Sequence, residues 1–372
     1  MKIYSLFFEL VRVALGTQDC LSKIPSEEEW KRLYMMCQDQ TVAGVAFGAL
    51  EKLSKDGIKP PLPILYEWIG LVEQIKQENI KVNREASILT KLFDKVGCHS
   101  IVLKGQANAR LYPDVYSRQP GDIDIYVSGG FDYVVQKLRE LNLVSDLSDY
   151  HCDGKATVSY HHIDLPKLYG GVDVEVHYRP SSGVYNPLKN KRVLNYLNEE
   201  AAHEPFYVDE GFYVPNIQFA LVMQMAHILH HVIDEGVGLR QIIDYYYLLK
   251  TSGKSQLNDM SDVIRNLGLM TFASALMWIL KEYLYLEDNF LLVEPNEKKG
   301  RILLERILQG GGMGRLHKIK RGTLRRNLLL LKCRFKDLAL CPDEIFWYEI
   351  FRFTYLLKSL PARIKRGRLS LG

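Results

Sequence analysis

Apolar residues recur at helical spacing through the first 95 residues of the chain and again after residue 216. Stretches such as "FFELVRVAL" and "ILYEWIGLVEQ" place apolar side chains three and four positions apart, which is typical of amphipathic helices. The proline cluster "KPPLP" interrupts this pattern at residues 59–63. The pattern predicts one helical region at the N-terminus and another at the C-terminus.

The pattern changes between residues 98 and 216, where short apolar runs alternate with helical spacing. The runs "SIVLKG", "DIDIYV" and "VDVEVHY" predict strands, "QANARLY" and "FDYVVQKLREL" predict helices, and "PFYVDEGFYVP" predicts a hairpin. We therefore expect an α+β fold in which helical regions flank a small mixed β-sheet. The predicted boundaries are 1–80 for the N-terminal helical region, 81–216 for the core and 217–372 for the C-terminal helical region.

The composition is that of an ordinary globular protein, with 372 residues, 47% of them hydrophobic and 25% charged. Six cysteines lie apart without a C-x-x-C pair, which argues against a zinc knuckle or a disulfide framework and favours a reducing cytoplasm. Glu9 and Arg12 interrupt the apolar N-terminus, unlike a signal peptide. No run approaches the roughly 20 apolar residues of a membrane span, so we expect a cytoplasmic protein without a transmembrane segment.

The positive charge is concentrated at the C-terminus, where residues 301–372 contain 17 Lys and Arg but only five Asp and Glu. Leucines interleave with these basic residues at helical spacing. Three interpretations remain open: a solvated amphipathic helix, a contact with RNA or another polyanion, and a helix at a membrane surface.

Two predicted strands carry acidic residues at alternate positions. Because strand side chains alternate between faces, Asp122 and Asp124 share one face, and Asp173, Glu175 and His177 share one face of the second strand. Neighbouring carboxylates repel each other unless a cation compensates, and Mg²⁺ or Mn²⁺ with a nucleoside triphosphate is a suitable partner. The alternative is an amphipathic strand with one solvated acidic face.

A candidate phosphate site precedes the first acidic strand. The strand "VLKG" ends at Lys104 and Gly105, and a predicted helix follows. Glycine allows the backbone to approach a phosphate closely, and Arg118 could add a bidentate contact.

The run "LKGQANARLYPDVYSRQPGDIDIYV" followed by "VDVEVHYRP" resembles the bacterial nucleotidyltransferase family proteins, a branch of the DNA polymerase β-like nucleotidyltransferase superfamily. The resemblance covers roughly residues 80–250 and implies that the core has the nucleotidyltransferase fold. It implies a metal-binding pair at Asp122 and Asp124 and a third carboxylate at Glu175, with Asp173 as its rival.

The same resemblance places Gly105 at the glycine turn of the superfamily and implies nucleotide binding by Lys104, Gly105, Gln106 and Arg118. One position departs from the pattern. Much of the superfamily has serine after this glycine, whereas this chain has Gln106.

The implied reaction is transfer of a nucleoside monophosphate from an NTP to an acceptor, with Asp122 and Asp124 holding two Mg²⁺ ions. Glu175 would complete the shell of the second metal or accept the hydroxyl proton. The acceptor could be a small molecule, RNA or a protein, the last as in antitoxin-like protein-modifying enzymes. The rival from another class is a non-catalytic or regulatory binding protein with this fold.

Other side chains are candidates for acceptor contact. Among the histidines these are His177, which shares a face with Glu175, and one of the pair His161 and His162. His227 is one helical turn from His230 and His231, which suits a metal site, an acceptor contact or a core histidine. Arg240 and Asp244 are four residues apart on a predicted helix, where they would pair with each other or contact the substrate.

Overall fold

Helices occupy the first 95 residues, as the apolar periodicity predicts. The computed structural model describes residues 2–145, 147–148, 156–166, 171–234, 236–310 and 337–365. Its first four helices are α1 (Lys2–Leu15), α2 (Glu27–Asp39), α3 (Ala43–Ser54) and α4 (Leu62–Lys95). Ser26 and Glu29 form a capping box at the start of α2, and Pro63 lies in the first turn of α4.

A six-stranded mixed sheet follows α4. Its strands are β1 (Ser100–Val102), β2 (Ile123–Val127), β3 (Leu147–Ser148), β4 (Ala156–Val158), β5 (His162–Asp164) and β6 (Val174–His177), in the spatial order β1-β2-β6-β5-β4-β3. The central pair β2 and β6 is parallel, whereas β1 and β5 pair antiparallel with these two strands. Helices α5 (Gln106–Ala109) and α6 (Gly130–Glu140) follow β1 and β2 along the chain.

One face of the sheet forms an apolar core. Alternate residues of the central strands, including Ile123, Ile125 and Val176, are buried together with residues of α6 and of the second half of α4, such as Phe93. The hairpin of β7 (Phe206–Tyr207) and β8 (Tyr213–Val214) supplies Val214 to the same core. Strand alternation therefore turns the acidic residues of β2 and β6 to the opposite face.

The C-terminal region is helical and packs with the N-terminal helices. It contains α7 (Pro187–Ala201), α8 (Ile217–Asp234), α9 (Leu239–Thr251), α10 (Lys254–Asn258), α11 (Met260–Leu267), α12 (Met270–Leu284), a 3₁₀ turn (Asp288–Phe290), α13 (Glu297–Gly310) and α14 (Pro342–Lys365). Helix α12 lies against both α1 and α13. A large second core thus joins residues from both ends of the chain.

The predicted α+β class with a small mixed sheet is confirmed, as are the three predicted strands and the hairpin. Strands β3, β4 and β5 were not predicted, because these segments of two or three residues do not lie in an apolar run like the one that indicated β1. Eleven of the 17 Lys and Arg residues of the basic tail lie at 311–336 and 366–372, outside the described residues, so its three interpretations stay predictions.

Candidate active site

The acidic residues of the two central strands converge at one point. Asp124 on β2 lies directly opposite Glu175 on β6, and Asp122 is two residues earlier on the same face as Asp124. One carboxylate oxygen from each of these three residues lies within 4.8 Å of the others. Asp173 is exposed and outside this cluster. Parallel pairing of β2 and β6 is what brings together acids that are about 50 residues apart in the sequence.

Lys104 and His177 contact the most buried carboxylate of this cluster. Asp124 is only 2% exposed, and its Oδ1 atom lies 3.2 Å from Lys104 Nζ and 3.0 Å from His177 Nε2. Burial opposes ionisation of Asp124, but Lys104 and His177 outweigh it and hold the pKa of this carboxyl well below its usual value. Burial likewise opposes the charged forms of Lys104 and His177, yet the nearby carboxylates raise the pKa of both groups. Asp124 is therefore ionised across the neutral range.

The pKa of Asp122 is shifted in the opposite direction to that of Asp124. Repulsion from Asp124, together with burial, raises the pKa of Asp122 to about 6, although Lys104 partly offsets both effects. The protein alone thus does not neutralise the acidic cluster. Hard carboxylate oxygens gathered without full charge compensation form a donor set that fits Mg²⁺ or Mn²⁺.

The turn that carries Lys104 depends on glycine. Gly105 joins β1 to α5 with φ +60° and ψ −102°, a conformation that residues with a side chain rarely adopt. The next residue, Gln106, is buried and turned towards α4, where its Nε2 atom donates to Asn83 Oδ1 at 2.5 Å. The glycine turn therefore lies beside the acidic cluster, whereas the side chain of Gln106 is directed away from it.

Arg118, Arg240 and Asp244 support the segment that precedes β2. Arg118 forms a bidentate ion pair with Asp244, with distances of 2.7 Å and 2.9 Å, and Tyr112 donates to the same carboxylate at 2.6 Å. Arg240 donates to the backbone oxygen of Gln119 at 2.9 Å. The predicted pair of Arg240 with Asp244 is thus replaced by the pair of Arg118 with Asp244. In this structure, Arg118 must leave Asp244 before its guanidinium can bind a phosphate in bidentate fashion.

A cavity of about 600 Å³ opens beside the acidic cluster. Lys104, Asp122 and Glu175 line it, together with six of the ten histidines of the chain. These histidines are His161, His162, His177, His227, His230 and His231. The strand residues form one wall, and α8 forms the other. The cavity therefore combines the acidic cluster with a wall rich in imidazole groups.

The histidines of this cavity differ in their surroundings. Burial and the neighbouring His177 lower the pKa of His161 to about 2, and burial and Lys104 lower the pKa of His227 well below its usual value. His227 Nε2 lies 3.4 Å from Lys104 Nζ. Both His161 and His162 line the cavity, whereas the sequence predicted that one of them would. The cavity thus contains neutral imidazoles beside the cationic Lys104.

Several residues that line the cavity were not singled out from the sequence. Tyr160 lies just before the histidine pair, and Ser181 and Ser182 follow β6 in the segment "RPSSG". Because this segment follows the acidic strand β6 directly in the sequence, its polar character was a usable signal. These residues widen the range of hydrogen bonds that the cavity offers to a ligand.

The α+β fold, the glycine turn and three carboxylates on neighbouring parallel strands form the arrangement that the sequence resemblance implies for a nucleotidyltransferase. A family model described as "Uncharacterised nucleotidyltransferase" matches residues 26–285, and the chain belongs to this family. The resemblance to nucleotidyltransferases is thereby confirmed, while a bacterial origin stays a prediction.

Similarity to individual proteins is weaker. A solved nucleotidyltransferase-like protein from Paracoccidioides brasiliensis, described as antigenic, is 14% identical, with a TM-score of 0.36. The match covers 59% of this chain and 95% of that one. A search of curated proteins gave no significant match. In the part of the chain that the structure describes, no helix has the length and apolar character needed to cross a membrane.

Proposed function

We propose that the protein is a metal-dependent nucleotidyltransferase that transfers a nucleoside monophosphate from an NTP to an acceptor. The observation that carries this proposal is the convergence of Asp122, Asp124 and Glu175 beside a cavity of about 600 Å³. Family membership supports the same reaction class. In this reaction an acceptor oxygen bonds to the α-phosphorus, and the bond to the bridging oxygen of the β-phosphate breaks to release pyrophosphate.

The three carboxylates are suited to hold the metal ions. Asp122, Asp124 and Glu175 would hold Mg²⁺ or Mn²⁺, which neutralises triphosphate charge and lowers the pKa of the acceptor hydroxyl when bound. Asp173 is the less suitable third ligand because its side chain lies outside the cluster.

Residues of the chain itself position the reacting groups. His177 donates to Asp124 and holds its carboxylate in the acidic cluster. Lys104 lines the cavity, and its Nζ atom lies 3.2 Å from Asp124 Oδ1, so this ammonium group is well placed to contact a phosphate oxygen. Glu175 is about a quarter exposed, with 24% of its side chain accessible, so it can accept the proton of an incoming hydroxyl.

The remaining predicted residues have supporting roles in this proposal. Gly105 allows the Lys104 turn to approach the phosphates. Arg118, Arg240 and Asp244 hold the segment that leads into Asp122. His162 and His227, on opposite walls of the cavity, are the histidines proposed to contact the acceptor.

The direct test is transfer of label from NTPs labelled at the α-phosphate. Wild-type protein with Mg²⁺ and each NTP in turn is incubated with small-molecule, RNA and protein fractions of a cell lysate. We expect label in one of these fractions, which identifies the acceptor class. Asp124→Asn should lower transfer about 10²–10³-fold, the loss typical of removing one electrostatic element of an active site. Asp262→Asn, at an exposed position remote from the cavity, should leave transfer unchanged.

Calorimetry with nucleotides separates this proposal from its non-catalytic rival. An enzyme of this class should bind an NTP far more tightly with Mg²⁺ than in EDTA. Equal binding under both conditions, together with no label in any fraction, would favour a scaffold protein and contradict the proposed reaction.

A further inference from the structure

A second cluster of metal-binding groups shares Glu175 with the paired aspartates. It consists of His161 before β5, His162 on β5, and Glu175 and His177 on β6. One nitrogen or carboxylate oxygen from each residue lies within 4.8 Å of the corresponding atoms of the other three. Antiparallel pairing places His162 directly opposite His177. The register of β5 and β6 thus generates this cluster.

The contacts inside the cluster have the dimensions of a zinc shell. A tetrahedral zinc ion with ligands at about 2.0–2.1 Å places adjacent ligand atoms about 3.3 Å apart. The observed separations are 3.1 Å between His161 Nε2 and His162 Nδ1, 3.3 Å between His162 Nδ1 and Glu175 Oε2, and 3.4 Å between His177 Nε2 and Glu175 Oε2. Small side-chain rotations therefore suffice to bring the four atoms onto one ion.

Burial distinguishes this cluster from a group of surface histidines. His177 is only 4% exposed, and its Nδ1 atom has no hydrogen-bond partner among the described residues. The other nitrogen, Nε2, contacts Asp124 and Glu175 and is therefore the atom of this ring that the fold directs towards the cluster. His161 and His162 are partly buried on the same wall. Because these imidazoles are buried or partly buried and already adjacent, little side-chain movement is needed for them to bind a metal.

We propose that His161, His162, His177 and Glu175 form a Zn²⁺ site that is distinct from the magnesium cluster and shares Glu175 with it. Three imidazole nitrogens and one carboxylate are ligands typical of zinc, whereas Mg²⁺ prefers oxygen ligands alone. The proposal goes beyond the proposed transfer reaction, because zinc binding at this site does not require that the protein be an enzyme.

The shared carboxylate couples the two sites. Glu175 has two oxygens, so one can bind zinc while the other faces Asp122 and Asp124. Zinc would also replace the proton through which His177 Nε2 contacts Asp124 at 3.0 Å. Asp124 would then keep Lys104 as its protein partner and become more available to the magnesium cluster. Zinc at the histidine site therefore orders Glu175 and frees Asp124.

The test is zinc binding by the full-length protein after removal of metals with a chelator. Equilibrium dialysis against Zn²⁺ in excess Mg²⁺, followed by elemental analysis, should give one tightly bound zinc per chain. His162→Gln and His161→Gln should each weaken zinc binding more than about 100-fold, beyond the 10–100-fold cost of losing an outer-shell partner. Asp122→Asn should retain the zinc, which makes failure of this proposal distinguishable from failure of the proposed function.

Two further variants serve as matched controls. His203→Gln removes an exposed histidine on the surface, and a double change at His230 and His231 removes imidazoles from the opposite wall of the cavity. Both should bind zinc as the wild type does. Loss of zinc in the double variant with retention in His162→Gln would place the site on α8 and overturn the proposal. Absence of tight zinc binding by the wild type would overturn it as well.

Cobalt provides a measurement that does not depend on any variant. Co²⁺ in a site with four nitrogen and oxygen ligands gives intense visible d–d absorption, whereas Co²⁺ in a six-coordinate oxygen site absorbs weakly. The metal-free wild type titrated with Co²⁺ should show the intense bands, and one equivalent of Zn²⁺ should abolish them. Weak bands alone would contradict the proposal even if the histidine variants failed to fold.

Discussion

Lys104 Nζ lies 3.2 Å from Asp124 Oδ1, and the two aspartates beside this ion pair, Asp122 and Asp124, have opposite pKa shifts. Asp124 is held ionised by Lys104 and His177, whereas the pKa of Asp122 is raised to about 6 by the charge of Asp124 and by burial. The same substitution at the two positions should therefore affect stability in opposite directions, although both should weaken Mg²⁺ binding.

Asp122→Asn should stabilise the metal-free protein at pH 8. The change removes a carboxylate that is repelled by Asp124, and a pKa shift of about two units corresponds to an upper limit of about 3 kcal/mol. Because Asp122 is partly accessible to solvent, we expect about 1–2 kcal/mol in the free energy of unfolding. Urea denaturation in EDTA measures it, with Asp262→Asn as the control. A variant less stable than the wild type would show that Asp122 is not electrostatically strained.

The stabilisation by Asp122→Asn should depend on pH. A carboxyl group whose pKa is higher in the folded than in the unfolded state destabilises the fold when ionised, so its penalty is present above the folded pKa. That penalty should disappear as the pH falls from about 6 towards 3.8, the unfolded value. The difference in unfolding free energy between wild type and variant, measured in EDTA across this range, should shrink with decreasing pH. A difference independent of pH would contradict the raised pKa.

Asp124→Asn should destabilise the metal-free protein by about 1–3 kcal/mol, because it leaves Lys104 and His177 without their shared carboxylate. The same denaturation experiment at pH 8 measures this effect. Lys104→Met in the Asp124→Asn background should recover part of the loss, since the unpaired charge is then removed. No recovery in the double variant would argue against the ion pair as the source of the destabilisation.

Asp244→Asn should destabilise the protein by about 3–5 kcal/mol, because it breaks a buried bidentate pair and leaves the Arg118 guanidinium uncompensated. Tyr112→Phe removes a single hydrogen bond to the same carboxylate and should cost only about 1 kcal/mol. Thermal unfolding compares the two variants. Similar small losses in both would indicate that Arg118 finds another partner, such as a phosphate, and does not depend on Asp244.

Gly105→Ala should cost about 1–3 kcal/mol of stability, because an alanine side chain is strained at φ +60° whatever the space around it. The nearest atom to the added Cβ is the Asp122 backbone oxygen at 3.6 Å, an ordinary contact, so strain and not collision is the cause. Gly121→Ala, with open space around its Cβ and no positive φ, is the matched control and should be near neutral. Equal effects at both positions would contradict this explanation.

The sequence predicted which acids share a face but not which groups neutralise them. Strand alternation was enough to place Asp122 with Asp124 on one face and Glu175 with His177 on one face of a second strand. The pair of Arg118 with Asp244 joins residues 126 positions apart, and no local pattern indicates such a contact. Local spacing suggested the pair of Arg240 with Asp244 instead, which the folded chain does not form.

The histidine cluster is a second case in which the sequence pattern identified residues but not their contacts. The sequence drew attention to His161 and His162, but the strand that carries His162 is only three residues long. Its antiparallel pairing with β6 depends on the tertiary fold and determines which histidine faces His177. Periodicity thus identifies the faces of long elements, whereas the partners of short elements depend on contacts distant in sequence.

Helix α4 connects the two cores of the molecule as one continuous element of 34 residues, about 50 Å long. Trp68 and Ile75 in its first half belong to the helical core, and Val82 and Phe93 in its second half belong to the sheet core. A fragment that begins at the predicted boundary after residue 80 would therefore start inside α4. It would lack the first half of this helix, which packs in the helical core.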